Sequence, residues 1–191
     1  PGYVELLVVG AGGSGGHASP WGPGSGGGAG GLFYRPALWV EAGEYAVFAS
    51  GATASGTGAS EVTSPEGGSY FGLGRYQVSA GGRGMSYGTS SGQHGVNWSV
   101  AGGSGGGGFS SSSFNMTMGT GDQGFWGGFP VGRFSGNMID WASWAGAGGG
   151  GATRDGGSAE AEEFGILGDA GQGGEGRVIC ITGREEFYGG G

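Results

Sequence analysis

The chain has 191 residues, and 57 of them are Gly, whereas globular proteins contain roughly 7% Gly. Leu, Ile, Val and Phe together supply 31 residues, too few for the core of a helical or α/β enzyme domain of this length. The formal net charge is −8 and the chain contains no Lys, so it lacks the basic surface that nucleic acids require. Its 6 Trp, 7 Tyr and 10 Phe are more aromatic residues than disordered chains carry.

Stretches of β-branched and apolar residues predict a few strands. The first covers 3–9, and its apolar run is far shorter than the roughly 20 residues that span a bilayer, so no membrane insertion is expected. A hairpin is predicted over 32–48, where Pro36 indicates an edge strand, and a short strand over 76–79. A closing strand is predicted over 177–182, and we expect it to pair with the first strand, since both are strong β-formers that would otherwise leave exposed edges.

The glycines between these strands are clustered in runs. The runs are 10–16, 24–31, 102–108, 146–151 and 168–176. Collagen is excluded because it requires Gly at every third position and abundant Pro. Flexible linkers do not normally alternate with Trp- and Phe-rich segments, so the similar lengths of the runs indicate one shared layer.

A glycine run can adopt the extended helix with three residues per turn, which has no internal hydrogen bonds. Each N–H and C=O group must then find a partner outside its own run. Because Gly has no Cβ, neighbouring runs can approach closely and supply these partners. The sequence therefore predicts a cooperative bundle that replaces a side-chain core.

The predicted fold is one glycine-rich domain over 1–191, mostly irregular and β. It is a polyglycine II-type helix bundle over 10–176 with a few short strands and essentially no α-helix. No stretch has the 3.6-residue apolar period of a helix, and 159–164 makes one turn at most. The chain starts at Pro1 without an initiator Met, so we expect a piece of a longer or processed protein.

Several sequence motifs resemble enzyme sites but lack the necessary context. Residues 10–15 match the dinucleotide pattern G-x-G-x-x-G without a following helix to hold a pyrophosphate. Residues 12–16 and 102–106 match the nucleophile pattern G-x-S-x-G without a strand-to-helix turn, and we interpret them as spacers. His17 and His94 are interpreted as solvated loop residues rather than as a shared site. We expect no enzymatic activity and no cofactor.

Neither Cys nor the acidic residues predict a metal site. Cys180 stands alone in an apolar run and is expected to be a buried small hydrophobic residue. A group of acids near the end of the chain is dense enough for a hard cation but lacks the spacing of an EF-hand loop, so a solvated loop is favoured. These acids are Asp155, Glu160, Glu162, Glu163 and Asp169.

Aromatic residues between the glycine runs are the candidate receptor-binding residues, since a glycine bundle offers few side chains to bury them against. Some rings are expected to cap the bundle, and the rest to be exposed on Gly-anchored loops, where they stack on a sugar or clamp a protein loop. The candidates are Trp21, Phe109, Phe114, Phe125, Trp126, Phe129, Phe134, Trp141 and Trp144.

The order of these elements resembles the glycine-rich receptor-binding domain of phage tail fibres. From about residue 3 to 182, the matching motifs are VELLVVGAGGSGG, GGLFYRPALWVEAGEYAVFASG, GGSYFGLGRYQVSAGGRG, VAGGSGGGG, AGAGGGG and GQGGEGRVICIT. The glycine runs here are shorter than in that family and the last loop is acidic, so the number of bundle helices stays open.

The resemblance implies an adhesin at the tip of the fibre, extracellular and part of the virion. Its partners would be a bacterial surface receptor, either an outer-membrane protein or a glycan, and the rest of the fibre, with a homotrimer as one possible assembly. The segments that the resemblance carries over as recognition loops are 17–23, 109–122, 125–144 and 152–167.

Two other classes of extracellular protein contain similar glycine-rich sequences. Glycine-rich structural or ice-binding proteins present flat faces of small residues and regular triplets, which the many rings of this chain argue against. Glycine-rich ectodomains of animal receptor kinases would normally bring more cysteines.

Overall fold

The computed structural model of the protein describes residues 1–16, 24–49, 69–72, 76–84, 103–111, 114–117, 121, 123–128, 134–135, 138–139, 146–160 and 169–191. These residues contain short strands and no helix, as the sequence predicted, so none of them forms a helix that could cross a membrane. The strands are β1 (Gly2–Val9), β2 (Leu32–Val40), β3 (Val47–Phe48), β4 (Ser69–Phe71), β5 (Tyr76–Val78), β6 (Phe109–Ser111), β7 (Phe114–Thr117), β8 (Phe134–Ser135), β9 (Met138–Ile139), β10 (Arg177–Ile179) and β11 (Glu186–Tyr188).

The longest ladder joins β1 and β2 in an antiparallel pair. Its register shifts where Glu5 lies opposite Pro36 and Ala37, so β2 carries a bulge at its proline. Proline has no N–H group to donate, and a bulge in a two-stranded sheet is one of the places where a strand tolerates it.

The hairpin predicted over 32–48 is wrong. β2 pairs with β1, whereas β3 pairs with β4, which pairs in turn with β5. The residues between β2 and β3 therefore lead from one sheet into another. The short strand predicted over 76–79 is confirmed as β5.

The predicted pairing of the two terminal strands is also wrong. β10 pairs with β11 in a local hairpin, across a turn in which the Gly183 N–H donates to the Cys180 carbonyl oxygen at 2.9 Å. Such a hairpin closes a much shorter loop than pairing with β1 would, and short loops cost less chain entropy. Cys180 is exposed in this turn rather than buried as expected, while its neighbour Ile179 is buried.

Glycine-rich segments bonded to one another make up the centre of the protein. They are 10–16, 24–31, 79–84, 103–108, 123–128, 146–151, 154–160 and 169–176, and we call them the glycine array. Backbone hydrogen bonds of 2.6–3.3 Å join each segment to at least two others. Five segments match the predicted runs, and 79–84, 123–128 and 154–160 were not predicted as runs.

Hydrogen bonds in the glycine array recur at intervals of three residues. The N–H groups of Gly13 and Gly16 donate to the carbonyl oxygens of Gly28 and Ser25. The N–H groups of residues 26 and 29 likewise donate to the carbonyl oxygens of 147 and 150. Those of residues 105 and 108 donate to the carbonyl oxygens of 125 and 128. Residues three apart in one segment therefore face the same neighbour.

The hydrogen bonds arrange the segments in two rows. One row contains 10–16, 24–31, 146–151 and 169–176, and the other contains 79–84, 103–108, 123–128 and 154–160. Bonds link neighbours within each row and also link the two rows. The central segments 103–108 and 146–151 are buried throughout.

The register of these bonds gives the array two distinct ends. We call one end the loop end. Backbone hydrogen bonds between 16 and 25, 84 and 14, 108 and 128, 26 and 147, and 160 and 169 join the segments there. The segment ends that lie at the loop end are residues 16, 24, 84, 108, 128, 146, 160 and 169. At the other, the strand end, residues 10, 31 and 79 continue directly from or into β1, β2 and β5, and 176 leads into β10.

The interior of the array consists mostly of backbone. Its buried side chains are small: Ala29, Ala147 and Ser104 are each at most 2% exposed. The Ser104 hydroxyl donates to the Gly151 carbonyl oxygen at 3.0 Å, so the one polar group on this side chain is satisfied. Larger buried side chains, Val78 and Ile179, belong to strands β5 and β10.

Close approach explains why the array positions are glycine. A Cβ at Gly13, Gly106 or Gly149 would lie closer than 3.0 Å to a carbonyl oxygen of another segment. A Cβ at Gly12 meets nothing nearer than the Gly28 carbonyl oxygen at 3.9 Å. Positive φ angles occur among the described glycines at Gly72, Gly183 and at Gly189, which lie outside the eight segments.

We expect Gly13→Ala to destabilise the protein and Gly12→Ala to leave it unchanged or slightly more stable. The methyl group at 13 pushes 79–84 away and breaks hydrogen bonds, each of which costs about 1–3 kcal/mol when its buried partner is orphaned. At 12 the same methyl group reduces the entropy of the unfolded chain and stabilises by roughly 0.4–1 kcal/mol. Chemical denaturation of both variants measures the difference.

We expect Gly106→Val and Gly149→Val to unfold the whole array cooperatively, since both glycines lie in buried central segments. Thermal unfolding followed by circular dichroism tests this. Melting of either variant at the parent temperature would show that these segments do not hold the fold together.

Candidate receptor-binding site

Phe125 and Trp126 are the predicted receptor-binding residues whose side chains the structure describes. They lie within the array segment 123–128 and are 39% and 50% exposed. The recognition loop predicted to begin at 125 therefore begins after 128, and these two rings project from the scaffold itself. Some aromatic rings were expected to cap the bundle and others to be exposed, and Phe125 and Trp126 are exposed.

The backbone under these two rings is held on both sides. The Phe125 N–H donates to the Gly151 carbonyl oxygen at 3.2 Å, and the Phe125 carbonyl accepts from Gly105 at 2.9 Å. The Trp126 N–H donates to Oδ1 of Asp155 at 2.8 Å. Since the main chain cannot shift without breaking these bonds, the rings are presented with little conformational freedom to lose on binding.

The neighbouring glycines explain why the rings point outward. A Cβ at Gly127 would lie closer than 3.0 Å to the Gly106 carbonyl oxygen, and one at Gly128 equally close to that of Gly157. These two positions face other segments and must be small. Phe125 and Trp126 occupy positions that face solvent, so large side chains fit there.

The remaining predicted residues belong to connections between segments. The backbones of Phe109, Phe114 and Phe134 lie in β6, β7 and β8. Trp21, Phe129, Trp141 and Trp144 lie outside the described residues.

The structure brings together both flanks of two predicted recognition loops and one flank of a third. Residues 16 and 24, which flank 17–23, lie at the loop end, and so do 128 and 146, which flank 129–145. Residue 108, which precedes the predicted loop 109–122, lies at the same end, whereas Gln123, which follows that loop, lies at the strand end, where its N–H donates to the Gly103 carbonyl oxygen.

The recognition loop predicted over 152–167 is shorter than expected. Its first part is a tight connection at the strand end followed by segment 154–160, in which the Gly157 N–H donates to the Gln172 carbonyl oxygen. The part left for a loop is 161–168, which lies outside the described residues and is flanked by Glu160 and Asp169 at the loop end. These two residues form an isolated antiparallel bridge.

Residues of the motifs that resemble enzyme sites form hydrogen bonds or are buried within the glycine array. The N–H group of Gly13, in the G-x-G-x-x-G match, already donates to Gly28. Ser104, in a G-x-S-x-G match, is completely buried. No group of three metal-ligand side chains is found in the described ranges, while His17, His94, Glu162 and Glu163 lie outside them.

A second aromatic site was not predicted. A cleft of about 390 Å³ lies at the strand end and is called here the aromatic cleft. Its lining includes the rings of Trp39, Tyr45, Phe71 and Tyr76 together with Glu41 and Glu44. Tyr45 and Phe71 stack with centroids 5.2 Å apart and planes 6° from parallel.

Hydrogen bonds fix the shape of the aromatic cleft. Nε1 of Trp39 donates to Oε1 of Glu41 at 2.8 Å, and the Tyr45 hydroxyl donates to the Glu41 carbonyl oxygen at 3.0 Å. The sequence signal for this site is the pair Glu41 and Glu44 between the rings of Trp39 and Tyr45, a stretch interpreted from the sequence only as part of a hairpin.

We expect Asp155→Ala to lower the melting temperature by roughly 2–4 °C, because the exposed Trp126 N–H loses its acceptor at a cost of about 1 kcal/mol. Asp155→Asn keeps an acceptor oxygen and should melt close to the parent. Asp169→Ala is the matched control. Equal melting of Asp155→Ala and Asp169→Ala would contradict the anchoring role of Asp155.

Comparison with known proteins adds no family: no protein family, curated protein or solved structure matches this chain.

Proposed function

We propose that the chain is a non-enzymatic adhesin domain that binds a host receptor at the tip of a phage tail fibre. In this proposal the array segments are polyglycine II-type helices packed into a bundle. The three-residue spacing of the hydrogen bonds supports this, since that helix has three residues per turn and no internal hydrogen bonds.

The grouping at one end of connections from three of the four predicted recognition loops carries the proposal. Both flanks of 17–23, of 129–145 and of 161–168 lie at the loop end. These connections contain Trp21, Phe129, Trp141 and Trp144. A rigid scaffold with several ring-bearing loops at one end is typical of binding proteins, because loops carry recognition while the scaffold fixes their positions.

The rings of Phe125 and Trp126 extend this surface along the second row of the array. Exposed Trp and Phe on a fixed backbone supply contact area at little entropic cost. The partner would be a bacterial surface protein or glycan, and the rest of the fibre would connect the domain to the virion. The proposed location is therefore extracellular, on the tail-fibre tip.

The alternative function is an extracellular structural or ice-binding role. Ice binding needs a flat face of small residues, and the two exposed rings on segment 123–128 interrupt such a face on that side of the array. Measurement of thermal hysteresis in solutions of the purified protein tests the alternative directly.

We expect Trp126→Ala to weaken adsorption to the host cell by roughly 30-fold, since truncation of a hot-spot ring costs about 2 kcal/mol or more. The free energy of unfolding should change by less than about 1 kcal/mol, because the ring is half exposed. Cell adsorption and melting are measured on the same samples.

Phe187→Ala is the matched control, because this ring is 77% exposed but lies on β11 beyond the strand end. It should leave adsorption unchanged. The proposal fails if Trp126→Ala, Trp141→Ala and Trp144→Ala all adsorb like the parent, or if each loses adsorption only because it unfolds.

A further inference from the structure

The aromatic cleft combines π faces with negative charge. Trp39 is 50% exposed and Tyr45 39%. Phe71 covers one face of the Tyr45 ring and Tyr3 makes an edge contact with Trp39 at a centroid distance of 5.1 Å, so the remaining ring surface is available to a ligand. Glu41 and Glu44 are the charged residues of the lining, which contains no Lys, Arg or His. The face of an aromatic ring is the negative part of its quadrupole, so rings and carboxylates attract the same kind of ligand.

The polar groups of the cleft favour a cation over a sugar. The Trp39 indole N–H and the Tyr45 hydroxyl both donate to Glu41 and are not free to donate to a ligand. What remains on these residues are acceptor oxygens and ring faces, and the Tyr76 hydroxyl is the one other side-chain donor of the lining. A sugar needs both donors and acceptors around its hydroxyl groups, whereas an ammonium group needs only negative or electron-rich neighbours.

The cleft is bounded by contacting rings and has the size of a small-molecule site. Phe71 stacks on Tyr45 and lies 6.4 Å from Tyr76, so these rings form a continuous wall. The cavity of about 390 Å³ lies within the range of small-molecule sites. The whole chain also carries a net charge of −8, which favours the approach of cations.

We propose that the aromatic cleft is a binding site for an organic cation, an alkylammonium or quaternary ammonium group. The rings of Trp39 and Tyr45 face the cation, and Glu41 and Glu44 supply the countercharge. This site is separate from the receptor-binding surface, because it lies at the strand end. Both a choline-type headgroup and a lysine side chain offer this chemistry.

Titration of the full chain with small probes tests the proposal. The probes are choline, its neutral isostere 3,3-dimethylbutan-1-ol, and N-acetyl-lysine methylamide, with binding followed by calorimetry at low salt. We expect a cation to bind roughly 5- to 30-fold more tightly than the neutral isostere, and to weaken as NaCl is added. The stronger of the two cationic probes identifies the source of the ligand.

Two variants separate the roles of ring and charge. Tyr45→Leu removes a π face but keeps an apolar side chain, and Glu44→Gln removes one charge with little change in shape. Both should raise the dissociation constant of the cation several-fold. Glu160→Gln, at the loop end, is the charge-matched control and should bind like the parent.

Equal affinity for choline and its neutral isostere would overturn the proposal, because it would show that the cleft binds apolar groups regardless of charge. Tighter binding of a neutral hexose, unaffected by Glu44→Gln, would identify a saccharide site instead. Absence of saturable binding by a protein that melts normally would overturn it as well. None of these measurements involves adsorption to cells. The cation-binding proposal is therefore tested independently of the proposed adhesin function.

Discussion

Close approach of one backbone to another is the constraint on which this protein depends. An extended glycine segment has no internal partners for its peptide groups, so its N–H and C=O groups must bond to other segments. Such bonds form only where no Cβ points between the two backbones, so positions that face a neighbour closely, such as Gly13 and Gly149, must be glycine. Segment 24–31 bonds to four other segments and 146–151 to five. Unfolding of either segment would therefore leave N–H and C=O groups on several other segments without partners. The array is therefore stable as a unit or not at all.

The sequence predicted the parts of the array that contain almost only small residues. It missed 79–84 and 123–128 because Arg83, Phe125 and Trp126 interrupt their glycines. With a three-residue spacing, only positions that face a neighbouring segment must be small, and a position that faces solvent accepts any side chain. Strand pairing was missed for a related reason. The partner of β1 is β2 because their ladder continues the pairing of 10–16 with 24–31, a register that composition does not reveal.

The candidate sites were predictable to different degrees. Phe125 and Trp126 stand out in the sequence because a glycine-rich scaffold cannot bury them, and both are exposed. The aromatic cleft is different, since Trp39 comes from β2, Tyr45 from the connection to β3, and Phe71 from β4. Only the pairing of β3 with β4 brings Phe71 beside Tyr45, and that pairing joins segments far apart in the chain. A sequence pattern shows local composition, and this site is made by nonlocal contacts.

A core made of peptide groups also changes how stability depends on temperature. Unfolding of an ordinary domain exposes apolar surface, which raises the heat capacity by roughly 12–15 cal/mol/K per residue, whereas exposed peptide groups lower it. The buried side chains of this array are Ala and Ser, so its unfolding exposes mainly polar backbone. The heat-capacity change should therefore be small, and the plot of unfolding free energy against temperature only weakly curved. A weakly curved plot does not turn downward at low temperature, so the free energy of unfolding does not fall when the protein is cooled.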